Sequence, residues 1–226
     1  EGYFEHNHPN VEDFKNSDEY KEYEKMMNEK EKYLKKGPNV IHLQYLGSLF
    51  EESDFIEYEN KLNDVGLELS RFDKSGVMYN CLDKFELVTY ISIAPPIILE
   101  LIKGTGSNAT WDVLKYLLFS AWRKVRNKSH TRATTQISEK KEILFGLKVS
   151  IDSQTAFNMS LKGDLDESII LNSLDKVLDF LREQKPNEEF KHPDCVYFDS
   201  ISSKWIKVDV LSEIKKMMEN GELNRK

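Results

Sequence analysis

The sequence predicts an α+β protein, with mixed or antiparallel sheets built from hairpins, a long central aromatic-rich helix and several flanking helices. Three observations predict that class. Two alternating runs, 142–151 and 154–163, are joined by the turn formers Asp152-Ser153, the pattern of an antiparallel hairpin. A second pair, CVYFDS and KWIKVDV, repeats that pattern near the end of the chain. Over 108–127, Trp111, Leu114, Leu118, Ala121, Trp122 and Val125 recur on one helical face.

The elements follow in order. EGYFEHNHP at 1–9 has the composition of a loose leader. Residues 10–36 are densely charged, with Phe14, Tyr20, Tyr23, Met26, Met27 and Tyr33 at broadly helical spacing, so an exposed amphipathic helix is expected. Its early acids, its late Lys35-Lys36 and the Gly37-Pro38 stop suit the helix dipole and a glycine terminus. A strand over 39–47 leads to a helix opened by Ser53, carrying Phe55, Tyr58, Leu62 and Val65, and closed by Gly66. LELSRF at 67–72 alternates as a half-buried strand, and Asp73 to Gly76 form a turn. FELVTYISI at 85–93 is the strongest strand pattern in the chain.

Pro95-Pro96 ends that strand and opens a short helix that stops at Gly104. After the 108–127 helix, a short strand is expected near 133–138, then the first hairpin. Asp164 or Asp166 caps a helix over 165–184 with Ile169, Ile170, Leu174, Val177, Leu178 and Leu181 inward, ended by Pro186. The last hairpin precedes a helix at 210–220, closed by Gly221. These elements group as a charged N-terminal helix (1–37), an α/β subdomain with a helical hairpin (38–130), and a hairpin–helix–hairpin–helix subdomain (131–226) able to merge with it.

Composition narrows the function classes. With 226 residues and 39% hydrophobic content the chain can bury a real core. A net charge of −7 weighs against a general nucleic-acid binder, whose affinity comes from neutralising phosphates. Cys81 and Cys195 lie far apart and form no metal-type pair, the usage expected of free thiols in a reducing, cytoplasmic setting. The longest apolar stretch, Leu87–Ile102, is too short and too interrupted to span a bilayer.

Gly104-x-Gly106-x-x-Ala109 resembles a dinucleotide loop in letters, but such a loop needs a central strand before it and an acidic residue about twenty positions on. Here the prolines favour a preceding helix, and the later position is basic, so a turn between helices is expected. No Gly-Lys-Ser/Thr loop occurs. His6, His8, His192 and Cys195 lack the spacing of a zinc module. Asp194 with Glu213 and Lys215 matches a nuclease pattern only in letters, since Glu213 and Lys215 fall two apart on a helix. There is no Gly-x-Ser-x-Gly nucleophile motif.

The main electrostatic feature is the cluster Arg123, Lys124, Arg126, Lys128 and Arg132, with His130 among them, an anion-binding candidate. Its simpler role is a helix C-terminus that favours cations. The second candidate is the interaction helix with Phe14, Tyr20, Tyr23 and Met27. With no catalytic constellation, no metal and no cofactor indicated, a soluble interaction or regulatory protein whose partner is another protein is expected. The alternative is a phosphate-substrate enzyme or nucleic-acid-binding protein using the 123–132 cluster.

Overall fold

A computed structural model describes residues 16–76, 87–133, 138–185, 193–210, 212, 215 and 219. The chain divides into two compact units, Glu1–Leu34 and Lys35–Lys226. In the first, α1 (Asp18–Glu31) starts at Ser17, whose hydroxyl accepts the Tyr20 N–H at 3.2 Å. The part of the expected helix before residue 16 lies outside the described residues.

The second unit holds a seven-stranded mixed sheet, in the order β2-β1-β3-β6-β7-β8-β9. Its strands are β1 (Val40–Tyr45), β2 (Glu68–Asp73), β3 (Thr89–Ile93), β6 (Phe145–Ser150), β7 (Ala156–Leu161), β8 (Asp194–Asp199) and β9 (Lys204–Lys207). Three neighbouring pairs are parallel: β1 with β2, β3 with β6, and β7 with β8. Parallel neighbours need a crossover, and the helices supply it. The first crossover is α2 (Glu52–Asn63); the second runs through α3 (Pro95–Lys103) and α4 (Asn108–Val125); the third through α5 (Glu167–Asp175) and α6 (Val177–Arg182). The two expected hairpins are present as β6–β7 and β8–β9. In the first, the Asp152 carboxylate accepts the Gln154 and Thr155 N–H groups at 2.7 and 2.6 Å, which closes the turn.

A separate two-stranded ribbon pairs β4 (Ser129–Ala133) with β5 (Ser138–Glu142). The short strand expected near 133–138 is therefore two strands on either side of that position. Two other boundaries also shift. The α2 cap falls on Glu51, not Ser53, because the Asp54 carboxylate reaches back to the Glu51 N–H at 2.8 Å. The helix expected over 165–184 breaks at Lys176: the Ser173 carbonyl, which a continuous helix offers to Val177, accepts the Lys176 N–H at 3.1 Å and the Trp205 indole N–H at 2.9 Å. Pro186 lies outside the described residues, as does Gly221; of the last expected helix, Val210, Ser212, Lys215 and Glu219 are described and helical.

One core joins the sheet to the helices. Ile41, Leu43, Ile91, Leu147, Met159 and Val196 lie at successive sheet positions and are buried with Ile98, Leu118 and Leu174 from the helices. Trp122 is fully buried, and its indole N–H donates to the Lys162 carbonyl at 3.0 Å, so the aromatic gains burial without leaving a polar atom orphaned. Gly146 has no room for a side chain: a Cβ there would strike the Met159 carbonyl and lie 2.7 Å from Leu87. Burial pushes the Tyr58 hydroxyl up to about 12, and its bond to Ser120 at 3.0 Å only partly offsets this.

The opposite positions on the same strands are polar. His42 Nδ1 hydrogen-bonds Ser70 Oγ at 3.0 Å, and the Tyr90 hydroxyl donates to Gln44 at 3.0 Å. Lys148 stands over the Tyr90 ring at 3.7 Å. Burial, with the Lys148 charge second, holds the His42 imidazole below its ordinary value. Among the described residues no helix is long and apolar enough to cross a membrane.

Candidate functional site

The two ends of α4 hold the sequence's two principal motifs. At the N-terminal end, Gly104 caps α3 with a left-handed φ of 71°, the conformation that favours glycine. Thr105 and Gly106 both donate their N–H groups to the Glu100 carbonyl at 3.0 Å, and Gly104 donates to Leu101 at 3.2 Å. Ser107 then caps α4 by accepting the Thr110 N–H at 3.1 Å. The glycines thus join two helices, and their backbone donors are turned back onto α3, where a phosphate cradle would leave them free.

A cavity of about 360 Å³ lies beside this turn, lined by Gly104, Gly106, Asn108, Trp111, Lys115 and Arg182 among others. Both of its cations are answered. Lys115 pairs with Asp175 at 3.0 Å and Asp112 at 3.2 Å, and the Asp175 bond leads the causes that raise its pKa. Arg182 pairs with Asp179 at 3.0 Å and donates to the Ile102 carbonyl at 3.2 Å.

The C-terminal end carries the basic cluster. Arg126 leaves the helix, and Asn127 with φ 59° turns the chain toward β4. Arg123 and Arg126 each approach one oxygen of Glu167 at 3.4 Å, so one carboxylate faces two guanidinium groups. Arg126 also lies over the Trp122 ring at 4.6 Å. Lys124 pairs at 2.8 Å with Asp54, the same carboxylate that caps α2. Lys128 is exposed, with no carboxylate partner among the described residues. Arg132 lies in β4; its side chain is outside the described set.

The ribbon adds two cations that the linear cluster misses. Register places Lys140 opposite Thr131 and Lys141 opposite His130. The missed signal was the polar alternation of 138–142, which has no apolar face to mark it as a strand.

The remaining candidates separate. Phe14, His6, His8, Cys81, His192 and Glu213 lie outside the described residues. Asp194, at the start of β8, pairs with Lys207 at 2.9 Å. Cys195 is half-buried in β8. Among the described residues no group of three or more His, Cys, Asp or Glu side chains could hold a metal ion. In α1, Tyr20, Tyr23 and Met27 are half-buried and no residue is fully buried. No protein-family model matches the chain, and neither a curated protein nor a solved structure does.

Proposed function

We propose that this protein is an interaction or regulatory module that acts through protein–protein contacts, with α1 as one docking element. The observation that supports this most is that α1 carries a stripe of large side chains without fully burying any of them. No residue over Asp18–Glu31 is buried, yet Tyr20, Tyr23, Met26 and Met27 place four large side chains at helical spacing. A charged amphipathic helix with such a stripe is complementary to an apolar groove rimmed by charge on a partner. The cytoplasmic setting expected from the two cysteines belongs to the same proposal.

The alternative, a phosphate-substrate enzyme or nucleic-acid-binding protein, rests on the density of cations at the end of α4. It has less support, because Glu167 and Asp54 already face Arg123, Arg126 and Lys124. The test uses the full chain with a photo-reactive residue at Tyr23. A discrete cross-linked protein, lost in a Tyr20→Ala/Met27→Ala variant, is expected. An adduct indifferent to those substitutions, or none, overturns the docking role. Turnover of a phosphate ester that disappears in Arg123→Glu/Arg126→Glu would establish the alternative instead.

A further inference from the structure

The β4–β5 ribbon is the one sheet among the described residues whose strands pair only with each other. Its sequences, SHTRA and SEKKE, give neither face an apolar stripe. A two-stranded ribbon of this kind is marginal alone, and among the described residues neither outer edge pairs with another strand. At its base it is tied down, for Ile143 donates to the Lys128 carbonyl at 2.9 Å and Lys128 donates to Val125 at 3.0 Å.

That first bond also sets the phase of the ladder. Opposed residues in an antiparallel pair alternate between bonded and non-bonded. With 128 and 143 bonded, the pairs 130–141 and 132–139 are bonded too. The backbone groups of Ser129, Thr131 and Ala133 then point to one outer edge, and those of Ser138, Lys140 and Glu142 to the other. Alternation of the pleat puts Lys128, His130, Arg132 and Lys141 at positions on one face, with Glu139.

The charge is lopsided: residues 123–142 hold seven Lys or Arg and two Glu, in a chain of net charge −7. Lys128 and Lys140 are exposed and have no carboxylate partner among the described residues. We propose that an outer edge of this ribbon takes up an extended acidic segment of a partner protein as a third strand. Main-chain hydrogen bonds supply the attachment, and carboxylates at every second position of the added strand meet the basic face. A nucleic acid is the poorer occupant. A ribbon about 17 Å long has room for few phosphate contacts, and the acidic remainder of the chain repels a polyanion. This extends the protein-contact proposal to a second surface, and loss of the α1 contact leaves it standing.

The experiment measures fluorescence anisotropy of a short labelled peptide of alternating Glu and Val with the full chain. A peptide alternating Lys and Val and a short DNA duplex run beside it. The Glu peptide binds and the Lys peptide does not. Lys128→Glu/Lys141→Glu, both at positions on the basic face, weakens binding at least about tenfold, as removal of complementary charge requires. Proline is tolerated at edge positions whose N–H faces outward, so Thr131→Pro and Glu142→Pro leave the ribbon intact while each removes one edge donor and no positive charge. Loss of binding in either variant, with unchanged circular dichroism and thermal midpoint, supports strand addition and identifies the edge. Absence of peptide binding, binding indifferent to both proline variants, or duplex binding as tight as peptide binding overturns the proposal.

Discussion

The hairpins β4–β5 and β6–β7 stand next to each other in the chain and share an antiparallel ladder, yet they are held by different forces. In β6–β7, Phe145, Leu147, Val149, Phe157, Met159 and Leu161 are all buried on the helix side of the sheet. Each such side chain contributes about 1.5–3 kcal/mol of burial relative to exposure. In β4–β5 no described side chain is fully buried, and the ribbon depends on its base at Val125, Lys128 and Ile143. Identical backbone bonding therefore coexists with very unequal energetics. What separates a structural hairpin from an available one is whether alternate positions carry apolar side chains.

Substitutions can sharpen or break that contrast. Phe157 is 1% exposed and meets Phe180 edge-on at 5.3 Å, so Phe157→Ala should cost about 3–5 kcal/mol in urea unfolding. A cost under about 1 kcal/mol would mean that β7 is not part of a packed core. Gly146→Ala should cost about 1–3 kcal/mol, because the Met159 carbonyl and Leu87 leave no space for a methyl group. A neutral result would show that the two strands separate easily there.

The polar side of the sheet predicts a pH dependence. His42 is held below its ordinary value of 6.5 in the folded state, by burial first and by Lys148 second. At high pH the folded and unfolded forms are both neutral and its contribution is complete. As pH falls through 6.5 the unfolded chain takes up a proton that the folded one resists, so stability drops until the lower folded value is passed. Unfolding curves at neutral and mildly acidic pH should show the decline, and His42→Gln should flatten it. The smallest effects belong to the ribbon. Thr131→Ala, at an exposed position, should change stability by no more than about 0.5 kcal/mol; a larger loss would reveal packing that the exposed position does not suggest.

Much of the fold was legible in local pattern. Strands β3, β6 and β7 follow from alternation, and α4 from its Trp and Leu face; the glycine turn follows from Pro95-Pro96 before it and Ser107 after it. The parallel neighbours were not legible, because alternation reports which face is buried and says nothing of the partner strand. At the break at Lys176 the Ser173 carbonyl also accepts from Trp205, some thirty residues away along the chain, and no local propensity records that contact. For the anion candidate, the sequence showed Arg123 to Arg132 as a cluster, but Glu167 and Asp54 come to it from other helices.

By itself, then, the sequence determined the α+β class, the aromatic helix and the placement of its cations, since these depend on residue type and short-range spacing. Only the tertiary structure decided which cations are answered by carboxylates and which are exposed on the ribbon. It also decided that the backbone donors of the Gly104–Gly106 turn are consumed by α3. The physical reason is the same in each case: charge pairing and backbone satisfaction depend on groups brought within about 3–4 Å by long-range folding, and sequence distance carries no measure of that.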